Sequence, residues 1–266
     1  MAKTAPEPRF FARLVGALLA LSAPSSVVWA QAPLATDDAA VTPPQAWHVE
    51  LFQQHATLPV AALPATTQDT AVVAVAWGLL PRLEVGFDVP WIAIHGGESV
   101  SGGGDLDLTA KWQLHPAKDA HSSAFALALA IELPTGDADR GLGSGVTDVD
   151  LTLIGERRVA RAVVLRGNLA LQFAGNTLTG ALGSADRGQV LGGGVSLTAD
   201  LTPRLQLVSE TTGYQGRESD ATDRELRLAA GLVFARSPRM SLAFTVQHGW
   251  FQSPPWVFQL GVVLDQ

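Results

Sequence analysis

The sequence predicts an all-β fold, a single antiparallel up-and-down transmembrane β-barrel of about 12 strands. Apolar and polar residues alternate over many stretches between residues 46 and 265, most clearly in residues 105–114 (DLDLTAKWQL). Because successive side chains of a strand face opposite sides of a sheet, each such strand has one apolar and one polar face. Long and short connections alternate along the chain, as in outer-membrane barrels. No long apolar run follows residue 30, which excludes helical membrane spans.

Residues 1–30 have the features of a secretory signal peptide. Lys3, Arg9 and Arg13 precede the apolar run 14–21, and small residues then allow cleavage after Ala30 or Ala32. The alternative, a buried N-terminal helix, is weaker because the three features occur in the order of a signal. We expect residues 31–45 to form an N-terminal periplasmic segment, the one part of the chain that could reach into the lumen from below, and residues 46–266 to form the barrel.

Composition limits the function. Removing residues 1–30 takes away three basic residues and Glu7, so 15 of the 18 basic and 24 of the 25 acidic residues remain, a formal net charge of −9. This charge argues against nucleic acid as a partner. The chain contains no Cys, which excludes a lipoprotein anchor, disulfides and thiol chemistry. The six His residues show no metal-ligand spacing, and no cofactor motif is present.

The period-two stretches define the strands in order. They are residues 46–56, 69–78, 82–93, 104–114, 122–133, 146–156, 162–173, 189–199, 204–214, 224–235, 239–250 and 256–265. An even number places both termini on the periplasmic side. The connections 79–81, 115–121, 157–161, 200–203 and 236–238 then face the periplasm. The longer connections 57–68, 94–103, 134–145, 174–188 and 215–223 face outside, together with the short 251–255.

The Trp residues support a membrane location. Each of those after the signal lies near a predicted strand end, where indole rings prefer the boundary between hydrocarbon and headgroups. They form a predicted aromatic girdle of Trp47, Trp77, Trp91, Trp112, Trp250 and Trp256. The alternative is Trp packing at the rim of a soluble sandwich.

The polar face predicts a charged lumen. Asp88, Asp105, Glu132 and Asp148 are expected at one level near the outer mouth, with Asp107 and Asp150 one inward position deeper. The predicted basic lumen residues are Arg82, Lys111, Arg166 and Arg227. An acidic ring at a mouth favours cations. Alternatively, the carboxylates brace the barrel by pairing with Lys111, Arg140 or Arg166, or by capping backbone N–H groups of the loops.

Two strands present small inward residues, which suggests a narrow passage or a ligand-sized cavity. These residues are Ala124, Ala126, Ala128 and Ala130 on one strand, and Gly192, Gly194, Ser196 and Thr198 on another.

Several segments resemble, in order, a family of predicted outer-membrane barrels named for the meta-cleavage pathway of phenol degradation. The matching segments are residues 33–38 (PLATDD), 78–86 (GLLPRLEVG), 89–91 (VPW), 102–112 (GGGDLDLTAKW), 133–136 (LPTG) and 141–145 (GLGSG). The resemblance implies a porin-like or transporter-like barrel, and the family name suggests uptake of aromatic or hydrophobic compounds. It supplies no catalytic residues.

These observations predict an outer-membrane channel or transporter for small solutes, including aromatic or hydrophobic compounds, with outer-membrane lipid as its surroundings. No catalytic activity is expected. A lipid-acting enzyme is the first alternative, based on His248 and Ser253 near the outer rim. A structural or adhesive barrel ranks last, because the loops contain few aromatic residues to anchor a partner.

Overall fold

The computed structural model describes residues 34–119, 122–173, 175, 188–216 and 224–266. The predicted signal peptide lies outside the described residues. Thirteen strands are present among the described residues. They are β1 Trp47–Thr57, β2 Thr67–Leu80, β3 Leu83–His95, β4 Val100–Gly103, β5 Leu106–His115, β6 Ser123–Leu133, β7 Asp148–Ala160, β8 Val163–Phe173, β9 Gln189–Thr202, β10 Leu205–Tyr214, β11 Glu225–Ser237, β12 Met240–Phe251 and β13 Trp256–Asp265.

The strands close into a barrel, which confirms the predicted fold. Apart from β4 and β5, which both pair with β3, each strand pairs antiparallel with its neighbours in the chain, and β1 pairs with β13 to complete the circle. Closure gives each long strand a partner on both sides, as a strand-built membrane protein requires, whereas the short strand β4 pairs with β3 alone. We call the end at which β1 begins and β13 ends the lower end, and the opposite end the upper end.

The barrel wall has twelve strand positions, which we call staves, and β4 and β5 together occupy the fourth. β4 pairs with the upper part of β3 and β5 with its lower part, and the register shifts by one residue between the pairs Trp91–Gly103 and Asp88–Asp107. The shift lies opposite Pro90, which has no N–H to donate, although its carbonyl still accepts from the Gly104 N–H at 3.0 Å. The predicted strand, residues 104–114, therefore covered only the part of this stave that lies below the bulge, and β4 was missed.

The outer surface of the barrel is apolar. Leu, Val, Phe and Trp side chains of nearly every strand are exposed there, among them Leu169 and Val195 at 55% each and Leu260 at 62%. A soluble protein rarely exposes so large a continuous apolar surface. No helix among the described residues is long and apolar enough to cross a membrane.

Residues 34–46, which we call the lumen segment, enter the barrel from its lower end. Residues 43–45 are exposed there, with the Gln45 N–H donating to the Gly78 carbonyl at 2.8 Å, and residues 34–42 lie inside the barrel. Ala39 is fully buried against Ala124, Ala126 and Ile154, and Leu34 packs against a second cluster formed by Val208, Val233 and Ala243. We expected residues 31–45 to form a periplasmic segment that could reach into the lumen from below, and residues 34–42 do lie in the lumen, while the periplasmic location of the remaining residues stays a prediction. The small inward side chains of β6 leave space, which Ala39 fills next to Ala124 and Ala126, whereas Ala128 and Ala130 line a cavity.

Candidate functional site

The lumen segment is fastened by buried polar contacts. The Glu210 carboxylate, 4% exposed, accepts from the Ala35 N–H and the Thr36 N–H at 2.9 Å each, and from the Thr36 hydroxyl at 3.0 Å. The Thr42 N–H donates to Glu84 at 2.6 Å, and the Gln113 amide donates to the Ala39 carbonyl at 2.8 Å. Hydrogen bonds to charged groups are the stronger ones, so this attachment is firm.

Lys111 is the cation at the centre of the attachment. Its ammonium lies 3.1 Å from Glu84, 3.1 Å from Asp37 and 3.8 Å from Asp38. Burial raises the pKa of Asp37 to about 6, and the neighbouring Lys111 ammonium opposes the rise. A nearly buried cation next to three carboxylates stabilises the segment in place; removing the cation would leave those charges uncompensated.

Arg166, Arg227 and Arg82 have different roles from one another. Arg166 bonds Glu156 at 2.8 Å and approaches Asp38 at 4.0 Å, so it braces the lumen on the other side of the segment. Arg227 points inward in the upper half and pairs with Glu225 on its own strand. Arg82 was expected to face the lumen, but it lies exposed in the two-residue turn between β2 and β3. The turn consists of Pro81 and Arg82 and so ends one residue later than the alternation predicted, which places Arg82 outside β3.

The inward carboxylates form a row whose register differs from the prediction. Across neighbouring strands, Glu50 lies opposite Ala74, and Ala74 lies opposite Asp88. Continuing around the barrel, Asp88 lies opposite Asp107, Asp107 opposite Glu132, and Glu132 opposite Asp148. We call Glu50, Asp88, Asp107, Glu132 and Asp148 the acidic row. Asp107, not Asp105, shares the row with Asp88, because the bulge in the fourth stave moves Asp105 one inward position above it. Asp150 lies one position below Asp148, opposite Ala130.

The acidic row climbs through the barrel. A row of opposite residues runs perpendicular to the strands, and strands in a closed barrel are tilted by about 35–45° from its axis. Glu50 is the fourth residue of β1 from the lower end, whereas Asp148 is the first residue of β7 at the upper end. The row therefore rises from the lower half of the lumen to the upper mouth.

Three of the predicted mouth carboxylates hold the upper loops. Asp105 accepts from the Gly136 N–H at 2.8 Å and from the Ser144 N–H. The Ser144 hydroxyl donates to Glu132 at 2.6 Å, and the Gly175 N–H donates to Asp148 at 2.9 Å. This is the capping of loop N–H groups that the sequence left open as an alternative. Within the described part of the chain, these carboxylates form no salt bridge with Lys111, Arg140 or Arg166; Arg140, for example, pairs with Asp137 at 3.9 Å.

His48 links the first and last strands at the lower end. Its Nδ1 lies 2.7 Å from Asp265 on β13 and its Nε2 lies 2.9 Å from Glu50. Carboxylates can only accept, so both ring nitrogens carry a proton and the ring is a cation. Sequence reasoning missed this contact, although the inward parity of His48 and Glu50 on one strand was visible.

Three cavities whose linings share residues lie beside the lumen segment, and each is bordered by β1 and β3. The middle cavity also reaches β5, β6 and β7, and the upper cavity also reaches β11, β12 and β13. The upper cavity of about 410 Å³ and the middle cavity of about 370 Å³ share Ala35, Glu50, Ala74 and Asp88. The middle cavity and a lower one of about 70 Å³ share His48 and Glu84. A further cavity of about 130 Å³, lined by Ala170 and Gly194 among others, lies on the other side of residues 35–37 and shares Ala35, Asp37, Ala128 and Thr152 with the middle cavity. The side of the lumen that faces β1, β2 and β3 therefore offers a chain of spaces from the upper mouth to the lower end.

The six Trp side chains lie at the two ends of the outer surface. Trp47, Trp77 and Trp112 are near the lower end, and Trp91, Trp250 and Trp256 are near the upper end. Trp47 stacks on Trp77 with ring centroids 5.9 Å apart. This distribution is that of two aromatic belts, although their contact with lipid stays a prediction.

The geometry does not join His248 and Ser253 into a catalytic pair. His248 faces outward with its ring 4.6 Å from that of Trp250 and 4.5 Å from that of Trp256, while the Ser253 hydroxyl donates to the Leu226 carbonyl at 3.2 Å. In the part of the chain that the structure describes, no group of three or more His, Asp or Glu side chains is arranged to hold a metal ion.

Comparisons with known proteins agree with the fold. A family profile described as "Putative MetA-pathway of phenol degradation" matches residues 60–264. A crystal structure of an outer membrane channel from Pseudomonas putida F1 superposes with a TM-score of 0.71 at 15% identity, covering 88% of this chain and 100% of that one. The NanC porin gives a TM-score of 0.58 at 9% identity, with 82% and 98% covered. The translocator domain of the autotransporter NalP from Neisseria meningitidis gives 0.50 at 13% identity, with 83% and 88% covered. Curated protein sequences gave no match. At these identities the structural likeness shows a shared fold.

Proposed function

The chain belongs to the family described as the MetA-pathway of phenol degradation, and from this premise we propose that it is an outer-membrane channel for small solutes. The observation that carries the proposal is the chain of cavities between the lumen segment and the wall of β1, β2 and β3. The apolar outer surface and the closed barrel support a membrane location.

The path has room for solutes of the size of a substituted aromatic ring. Cavities of about 300–1,000 Å³ hold drug-sized ligands, and the two larger spaces lie at the lower end of that range. The upper cavity combines apolar side chains, such as Phe52 and Val257, with the amides of Gln54 and Gln259. Such a mixed lining accepts an amphipathic solute, and the family description suggests phenolic compounds as candidates.

The acidic row supports a preference for cations. Glu50 and Asp88 line both larger cavities, and Asp107 lies directly opposite Asp88. Carboxylates along a narrow path attract cations and repel anions. Their combined field should be weakened by salt, because exposed charges are screened within about 10 Å at 0.1 M ionic strength.

Reconstitution tests the channel directly. The mature chain in planar bilayers should show small, steady conductance with cations favoured over anions, and liposomes that contain it should swell in small neutral solutes and in phenol-sized aromatics. Altered migration of unboiled protein on a denaturing gel serves as the folding control. A folded barrel that passes neither ions nor aromatics would refute the proposal.

A further inference from the structure

The lower end of the barrel is ringed by basic side chains. Five short connections among the described residues join strands there, and each contains one basic residue. These residues are Arg82, Lys118, Arg161, Arg204 and Arg239. Strands lie about 4.8 Å apart, so successive turns present a basic residue about every 10 Å around the rim.

These side chains are exposed and have few acidic neighbours. No carboxylate of the described residues forms a salt bridge with any of the five, and Arg157 and Arg236 add two further exposed cations just above the turns. The acidic residues nearby include Asp119, in the same connection as Lys118, and Asp200, which lies 3.8 Å from Arg158. Asp265 also lies at this end, where its N–H donates to the Arg239 carbonyl at 3.0 Å and its carboxylate contacts His48. The rim thus has a clear excess of positive charge in a chain whose formal net charge is −7.

The basic ring lies directly next to the apolar belt. Leu80, Val159 and Leu201 are each within three residues of a turn cation and are 53–55% exposed. Trp47, Trp77 and Trp112 occupy the same end of the outer surface. Indole rings mark the boundary between hydrocarbon and headgroups, and short turns cannot extend far beyond it. The basic side chains are therefore held at headgroup level.

We propose that this lower rim is a binding surface for anionic phospholipid headgroups, of the phosphatidylglycerol class, in the leaflet that faces the periplasm. Long Arg and Lys side chains extend along apolar surface and place their charge at the headgroups. Guanidinium groups bind phosphate through paired N–H donors, and each cation near an anionic membrane surface contributes about 1 kcal/mol. The inference uses the membrane location proposed above but does not depend on solute passage.

Lipid retention by the purified mature chain tests the surface. Native mass spectrometry in the presence of equal amounts of phosphatidylglycerol and phosphatidylcholine should show about a fivefold preference for phosphatidylglycerol per neighbouring cation, the factor that corresponds to about 1 kcal/mol. A double variant, Arg204→Gln with Arg239→Gln, removes two cations of adjacent turns. Its matched control, Arg140→Gln with Arg224→Gln, removes two cations of the upper end.

The preference for phosphatidylglycerol over phosphatidylcholine should fall at least about fivefold in the lower-rim variant. The control variant should keep the preference of the unaltered chain. Equal binding of the two lipids by the unaltered chain, or an equal loss of the phosphatidylglycerol preference in both variants, would overturn the proposal. An acidic periplasmic protein would then be the better candidate partner for the rim. Each variant is first shown to be folded by its gel migration. Conductance is recorded on the same samples, so a sealed barrel that still prefers phosphatidylglycerol would refute the channel and not this surface.

Discussion

Replacing Glu210 by Ala should loosen the upper end of the lumen segment without unfolding the barrel. Glu210 accepts three hydrogen bonds from Ala35 and Thr36, at 2.9, 2.9 and 3.0 Å. A hydrogen bond to a charged group contributes about 1.5–3 kcal/mol net. Because the three share one carboxylate and the freed donors regain water, we take the lower limit, about 4 kcal/mol in all. That energy corresponds to roughly a thousandfold more of the state in which residues 34–36 are detached.

The consequence is measurable as current through single channels. Detachment of residues 34–36 removes the segment that lies between the path and the cavity behind it, so Glu210→Ala should show larger and more frequent openings than the unaltered chain. Glu225→Ala is the matched control, because it also removes an inward carboxylate, one paired with Arg227 rather than with the segment. Conductance of Glu210→Ala equal to that of the control, with both barrels folded, would refute the role assigned to Glu210.

Three further substitutions separate structural from electrostatic roles. Asp107→Asn should lower the preference for cations, most at low ionic strength. Thermal stability should stay unchanged or rise, because Asp107 faces Asp88 and Glu132 directly and like charges in that position are destabilising. A clear loss of stability in a melting experiment would contradict this reasoning. Asp105→Asn should instead cost about 2–4 kcal/mol through its bonds to Gly136 and Ser144 while selectivity is retained, and altered ion selectivity would count against the assignment. His48→Ala should leave the carboxylates of Glu50 and Asp265 facing each other where β1 meets β13. The free energy of unfolding measured in urea should fall by about 3 kcal/mol. An unchanged unfolding midpoint would show that the contact is dispensable.

The sequence predicted the barrel well because the period of two is a direct consequence of strand geometry. All twelve predicted stretches correspond to staves, and even the inward parity of Lys111 and Glu210 is visible in the alternation. The register across the fourth stave was not predictable, since one bulge opposite Pro90 exchanges Asp105 for Asp107 in the acidic row. A bulge adds one residue without changing the hydrophobic pattern on either side.

The candidate site was less predictable because its contacts are long-range. Residues 34–46 show no strand or helix periodicity, so only the partners inside the barrel reveal where they lie. Those partners, Glu84, Lys111 and Glu210, come from separate strands and are 42 to 175 residues away in the chain. The small side chains of β6 were correctly seen as leaving space, but composition alone does not tell an empty space from one that the chain itself fills.

The central claim, that solutes pass between the lumen segment and the wall of β1, β2 and β3, is tested most directly by thiol modification in single channels. The chain has no Cys, so Ala74→Cys introduces one thiol on this wall, in the residue set shared by the upper and middle cavities. Ala170→Cys places a matched thiol inside the same barrel, in the cavity behind residues 35–37. A bulky cationic thiol reagent added to the upper side should block current through Ala74→Cys and leave current through Ala170→Cys intact. Block of Ala170→Cys alone, or of neither variant while both conduct, would contradict the proposed path.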